Sequence, residues 1–356
     1  MELMWMRKII SAYILFALCL LLLGCDNKNA SNIGNSNKSK TKAESVKEGG
    51  KEFSIWITYW DLKNFEQEIS AVKDNITNIC YFAAYFDAEK KLFIPQEITD
   101  TYKVIKSKYT DNKYRSYLTF VNDLLKPDGT SSLKDTELLY SLFSSTEQTN
   151  SHINEIINLT INGGFNGIEI DYEGMKGDIK LWKLYQTFIE QLYKSASAKK
   201  IPVRIVLEPS VPEKELKFIK GPEYVMMCYN LYGTGTKPGP KANEKFLKQM
   251  VKKMKSFPGK VNFALSAGGY DFPQGGMAKQ VTEIEAETLK KEYNAVTTRD
   301  KDSNCLVFTY NDLQGLSHEV WYADKETLNF WYSVISKYGN YGFSLWRIGG
   351  NVCSGL

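Results

Sequence analysis

Glu169, Asp171 and Glu173 stand at alternate positions in the run Gly164-Phe165-Asn166-Gly167-Ile168-Glu169-Ile170-Asp171-Tyr172-Glu173. Side chains in an extended strand alternate faces. The three carboxylates therefore share one face, and Ile168, Ile170 and Tyr172 share the other. Each charge repels the next, so such a stack is costly to hold. Crowding like charges also raises a carboxyl pKa, which suits a proton donor that must stay protonated near neutral pH. The plain alternative is an exposed strand whose polar face is acidic.

The flanking elements argue against that alternative. Ile153, Ile156, Ile157 and Ile161 recur near helical spacing before the strand, and Gly163-Gly164 supplies a stop. Leu181, Leu184, Tyr185, Phe188 and Leu192 form a second stripe after it. A strand between two helices is normally parallel, with both faces covered. Acids on its inner face then point into a barrel or towards its mouth.

Strand-like apolar runs recur along the chain at 53–59, 79–85, 116–121, 167–173, 202–207, 224–229, 261–266 and 341–346. Most are separated by helix-length spacers. This α/β alternation predicts a (β/α)8 TIM barrel, with a doubly wound open sheet as the alternative. The spacer between the seventh and eighth runs is too long for one helix. It predicts a small α+β insertion at about 273–325: a helix from Glu283 to Tyr293, strands Cys305–Tyr310 and His318–Tyr322, and Asp324 capping a last helix that runs to Tyr338. An insertion there sits beside the C-terminal face of a barrel, where such folds keep their active sites.

The N-terminus reads as a targeting segment. Arg7-Lys8 precede a nearly unbroken apolar stretch from Ile9 to Leu23, too short for a comfortable membrane span. It ends in Leu22-Leu23-Gly24-Cys25, which resembles a bacterial lipobox. That resemblance implies cleavage before Cys25, lipidation of Cys25, and anchoring to the cell membrane on its extracytoplasmic face. Residues 1–24 are then a signal peptide. Residues 25–50, dominated by Asn, Ser, Lys and Gly, are expected to be a disordered tether. The globular region is 51–356.

The formal net charge is +4, from 45 Lys and Arg against 41 Asp and Glu. The lysines are spread among acids with no basic block, so a nucleic-acid partner is not expected. Cys80 and Cys228 sit in apolar runs and read as buried free thiols. There is no CxxC, and His152 and His318 are the two histidines, so neither a metal site nor a histidine-based triad is expected. His152 reads as a helix-surface residue, and His318 has no evident partner.

In this context the residues resemble glycoside hydrolase family 18, the chitinase-like barrels. The family signature Asp-x-x-Asp-x-Asp-x-Glu corresponds to Asn166, Glu169, Asp171 and Glu173. The family's Met-x-Tyr-Asp on the sixth strand corresponds to Met227-Cys228-Tyr229-Asn230, and its tryptophan ending the eighth strand to Trp346. The segments Phe308–Tyr310, His318–Asp324 and Gly342–Gly350 are similar to the spore-associated, peptidoglycan-cleaving branch. The resemblance covers nearly everything from residue 53 onward.

The resemblance implies substrate-assisted, retaining hydrolysis without a cofactor, an exception to the usual two-carboxylate scheme. Glu173 would be acid and then base. Asp171 would hold the substrate's 2-acetamido group, Glu169 would tune Asp171, and Tyr229 would hydrogen-bond the acetamide, with Met227 and Asn230 in support. Trp346 would be the platform under the reacting sugar, and Tyr59 and Tyr270 are candidates for lining the cleft. The sequence departs from the family at Asn166, Glu169 and Asn230. Glu169 adds a methylene inside the barrel, and Asn230 removes a charge. The expected substrate is a β-1,4-linked N-acetylglucosamine glycan, peptidoglycan first, with chitin or other glycans as alternatives. A non-catalytic sugar-binding barrel is the reading from another class. A monomer is expected.

Overall fold

The computed structural model describes residues 52–351, apart from 63, 111–112 and 127–129. The signal segment, Cys25 and the tether lie outside the described residues, as does Cys353. Among the described residues no helix is long and apolar enough to cross a membrane.

The chain runs β1 (Phe53–Thr58), α1 (Phe65–Val72), β2 (Asn78–Phe86), β3 (Leu92–Phe93), α2 (Gln96–Lys108), β4 (Arg115–Leu125), β5 (Ser131–Ser132), α3 (Thr136–Leu142), α4 (Thr146–Asn162) and β6 (Gly167–Asp171). It continues α5 (Ile179–Ala198), β7 (Val203–Leu207), β8 (Glu223–Met227), α6 (Glu244–Met254), β9 (Lys260–Ser266), β10 (Gly268–Pro273), β11 (Lys279–Val281) and α7 (Glu283–Glu292). It ends β12 (Thr298–Arg299), β13 (Leu306–Asn311), β14 (Ser317–Ala323), α8 (Lys325–Ser336) and β15 (Gly342–Ile348).

Strands β1, β2, β4, β6, β7, β8, β9 and β15 pair in parallel around a closed ring, the β2–β4 and β1–β15 pairings completing it. This is the expected (β/α)8 barrel, and each of the eight sequence runs supplies one strand. The insertion between β9 and β15 is an antiparallel sheet in the order β11-β10-β14-β13-β12, with α7 packed on β10 and β14. Its first strand starts at Gly268, ahead of the position near 273 at which the sequence placed it. Gly269 permits the close pairing of β10 with β14, because a Cβ there would lie 1.6 Å from the Trp321 carbonyl oxygen.

Two apolar clusters divide the barrel core, and a third lies within the insertion. The outer one joins strands to helices: Ile168, Ile170 and Tyr172 meet Ile153, Ile156 and Ile157 of α4 and Leu181, Phe188 and Leu192 of α5. Each such buried side chain contributes about 1.5–3 kcal/mol relative to exposure. The inner cluster holds Trp56, Cys80, Phe82, Tyr117, Val206, Val225, Met227 and Tyr229 and fills the barrel. The two faces of β6 therefore divide as the alternation predicts.

Several details differ from the sequence expectations. Ile161 is 49% exposed, because in the last turn of α4 the buried face continues through Thr160 instead. Helix α8 ends at Ser336, ahead of Tyr338. His152 is not a surface residue: it is on the buried face of α4, and its Nε2 lies 2.7 Å from the Tyr172 hydroxyl. The outward-pointing Tyr172 needs a polar partner in an apolar layer, and His152 provides it. His318 does have a partner, since its Nδ1 lies 2.8 Å from Asp271 Oδ1.

Candidate active site

Helix α4 stops at Gly163, and Gly164 adopts φ +78°, which turns the chain directly into β6. Strand β6 is hydrogen-bonded between β4 and β7, with Thr119 and Arg204 opposite Glu169 and with Val121 opposite Asp171. This register fixes the depth of each acid in the barrel.

Glu169 lies deepest and is sealed from water. Its Oε1 accepts from Trp56 Nε1 (2.6 Å) and Thr119 Oγ1 (2.8 Å). Its Oε2 accepts from Arg204 Nε (2.8 Å) and from the Cys80 thiol (3.3 Å). Arg204 is equally buried and also donates to Glu223, Ser54 and Ser344. The extra methylene of Glu169 carries its carboxylate to this guanidinium, and the acid becomes part of the polar floor of the barrel.

Asp171 differs. It is buried, and its Oδ1 has no hydrogen-bond partner. Burial holds its carboxyl well above the usual range, and the charges of Glu173 and Glu169 push the same way against Lys134. Glu173, at the mouth, is also raised, by burial first and then by Glu208 and Asp123, while Lys134 opposes. Tyr229 follows β8 and is buried. Burial and the charges of Asp171, Glu173 and Glu169 together hold its hydroxyl proton tightly. The three acids and the tyrosine thus form one electrostatic unit.

The backbone at Glu173 is fixed from two sides. Asn122 on β4 accepts from Glu173 N (2.9 Å) and donates to Glu173 O (3.0 Å). Gly174, at φ +85°, donates to Glu208 Oε2 (2.8 Å). The Glu173 side chain meets Lys134 Nζ at 2.6 Å.

The aromatic candidates occupy different places. Trp346 on β15 is partly exposed, with edge contacts to Trp56 and Phe82 at ring distances of 5.9 and 4.9 Å. Tyr59 just beyond β1 is partly exposed, edge-on to Trp60 and Tyr85. Tyr270 is more enclosed, and its hydroxyl donates to Asn230 Oδ1 (3.2 Å) while Lys241 lies over its ring. Asn230 has φ +61°, a conformation that Asn tolerates better than most residues. Met227 points into the barrel core beneath Tyr229.

Sequence reasoning missed Arg204 and Lys134. Arg204 had a signal: a cation in the middle of a parallel strand is buried and requires an acid. Lys134 had none, because its meeting with Glu173 spans 39 positions.

No family model matches the chain. It is 21% identical over 229 residues to YdhD of Bacillus subtilis, provisionally named a sporulation-specific glycosylase, covering 60% of this chain. The chain spans 54% of the length of that curated relative. The crystal structure of the spore cortex-lytic enzyme SleL of Bacillus cereus superposes with a TM-score of 0.69 at 20% identity, covering 86% of this chain and 72% of that one. A chitinase structure from Chromobacterium violaceum gives 0.70 at 16% identity, covering 85% of this chain and 95% of that one. Two proteins that share so few residues with this chain share its architecture, and the closed barrel with its acid-bearing fourth strand is a fold of the chitinase and cortex-lytic-enzyme type.

Proposed function

We propose that the chain is a retaining glycoside hydrolase that cuts β-1,4-linked N-acetylglucosamine glycans, peptidoglycan first, by substrate-assisted catalysis. The observation that carries the proposal is a pair of inward carboxyls, Asp171, buried with its Oδ1 unpartnered, and Glu173, two residues on at the barrel mouth, both raised by burial. The relatives' names and fold support the same reaction class.

In the proposed reaction Glu173 gives its proton to the glycosidic oxygen. The 2-acetamido oxygen of the substrate attacks the anomeric carbon as the leaving sugar departs. Asp171 accepts the acetamide N–H on its unpartnered oxygen and offsets the positive charge of the oxazolinium ion. Tyr229 donates to the acetamide carbonyl, and Trp346 packs under the sugar ring. Glu173, now a carboxylate, takes a proton from water as the water oxygen attacks the same carbon, and the acetamide is regenerated with retention. Glu169 is held by Arg204 and serves as a fixed negative charge below Asp171.

Lipidation at Cys25 and attachment to the extracytoplasmic face of the membrane belong to the same proposal, resting on the lipobox-like sequence. Cys25→Ser should abolish incorporation of a labelled fatty acid and release the protein from membranes.

The test of activity uses the full chain and its Glu173→Gln variant with purified peptidoglycan, with and without muramic lactam, and with chitin oligomers. Mass spectrometry should find new reducing-end N-acetylglucosamine with the wild type, and a rate about a hundredfold or more lower with the variant. Saturable binding with no product from any glycan would replace the proposal with a sugar-binding barrel.

A further inference from the structure

Lys134 is not part of the reaction just described, yet it holds the proposed acid. It sits between β5 and α3 with φ +54°. Its backbone N–H donates to Asp123 Oδ1 (2.7 Å), and the next residue, Asp135, donates from its N–H to Asn122 O (2.8 Å). The end of β4 thus fixes the loop. A Cβ on Gly174 would lie 2.9 Å from the Lys134 carbonyl oxygen, so the loop and the chain after Glu173 are in close contact. From this fixed base the side chain, 48% exposed, reaches Glu173 Oε2 at 2.6 Å, while Glu173 itself is 18% exposed.

The contact works against general acid catalysis, because an ammonium beside a carboxylate favours its ionised form. Burial still leaves the Glu173 carboxyl raised overall, but Lys134 weakens its hold on a proton, and moving Lys134 to another anion strengthens that hold. The neighbouring carboxylates are Asp171, Asp123 and Glu208, each already facing the same ammonium or its loop. A further anion, beyond these three, is one that comes with the substrate. The oxygen that Glu173 protonates belongs to the leaving sugar. A cation bound to that carboxyl lies within about 6 Å of this oxygen. A carboxylate carried on the neighbouring carbon of the leaving sugar, as in the lactyl ether of a muramic residue, is within reach of a lysine side chain.

We propose that Lys134 is a specificity-determining residue for a leaving-group sugar that carries a carboxylate, and that this carboxylate takes the ammonium from Glu173 and so strengthens the hold of Glu173 on its proton. The inference rests on the glycosidase reading and adds the charge of the substrate to it. No bond is made or broken in the exchange: one ion pair replaces another.

The test compares two tetrasaccharides at fixed ionic strength. One alternates N-acetylglucosamine with N-acetylmuramic acid bearing free lactyl carboxylates, and the other is chitotetraose. The ratio of kcat/KM for the two is measured for the full chain, for Lys134→Met and Lys134→Gln, and for Lys134→Arg, from pH 5 to 8. The wild type should favour the muramic substrate. Both neutral variants should lose about tenfold or more of that preference, and Lys134→Arg should keep most of it. On chitotetraose the alkaline limb should move to higher pH in the neutral variants, because Glu173 then loses the cation that favours its ionised form. An unchanged ratio overturns the proposal whatever the limb does. A lost ratio with an unmoved limb overturns the link to the proton of Glu173. If the wild type cleaves neither glycan, the glycosidase reading fails by itself. Calorimetric affinities for the same pair then decide the Lys134 claim: a muramic preference lost in Lys134→Met supports it, and one retained overturns it.

Discussion

Arg204 Nε lies 2.8 Å from Glu169 Oε2, and both side chains are completely excluded from solvent. The pair joins the floor of the barrel to the first acid of the β6 stack. Arg204 also pairs with Glu223 at 2.8 Å, so one guanidinium is shared by two buried carboxylates. Replacing it with methionine would leave both acids without a cation in the barrel interior. Arg204→Met should destabilise the protein by about 3–5 kcal/mol, measured by urea unfolding, because removing one partner strands a buried charge. A loss below about 1 kcal/mol would show that the acids take up protons or water at little cost.

Asp171 couples stability to pH. Its native carboxyl binds a proton more tightly than an unfolded aspartate does. Stability from this group is therefore full below about pH 4 and declines as pH rises through the native pKa. Asp171→Asn cannot ionise. It should be more stable than the wild type at pH 7 and equal to it near pH 4, with a difference of about 1.4 kcal/mol for each unit by which the native pKa is raised. The same variant should lose glycan hydrolysis. A stability gap that does not change with pH would refute the assignment of the charge burden to Asp171.

Glu208 bears on Glu173 in two ways, by its charge and by accepting the Gly174 N–H. Glu208→Gln keeps an acceptor and removes the charge. Because that charge raises the Glu173 carboxyl, the alkaline limb of kcat/KM should shift to lower pH, by about one unit or less. No shift would mean that Glu208 serves only as a backbone anchor.

Gly269 tests whether the insertion is a structural part of the cleft. Alanine at this position would drive its Cβ into the Trp321 carbonyl and separate β10 from β14. Gly269→Ala should destabilise the protein by about 3 kcal/mol or more. It should also release the Tyr270 hydroxyl from Asn230, raising KM more than it lowers kcat if Tyr270 lines the sugar cleft. An unchanged KM would place Tyr270 outside the substrate path.

The sequence by itself determined the eight-stranded α/β barrel, the insertion after the seventh strand, and the inward row of Glu169, Asp171 and Glu173. Each of these rests on local periodicity: period two in β6, near-helical spacing in α4 and α5, and glycine at the stop of α4. The tertiary structure decided how three chemically similar acids differ. Glu169 meets Arg204 across a parallel register, Asp171 meets no donor on Oδ1, and Glu173 meets Lys134 from a loop. Their environments depend on which distant residues the barrel closure brings within about 3 Å, and charge pairing at that range has no signature in sequence spacing. His152 makes the same point, since a histidine on a helix has no visible reason to be buried until Tyr172 from the neighbouring strand arrives beneath it.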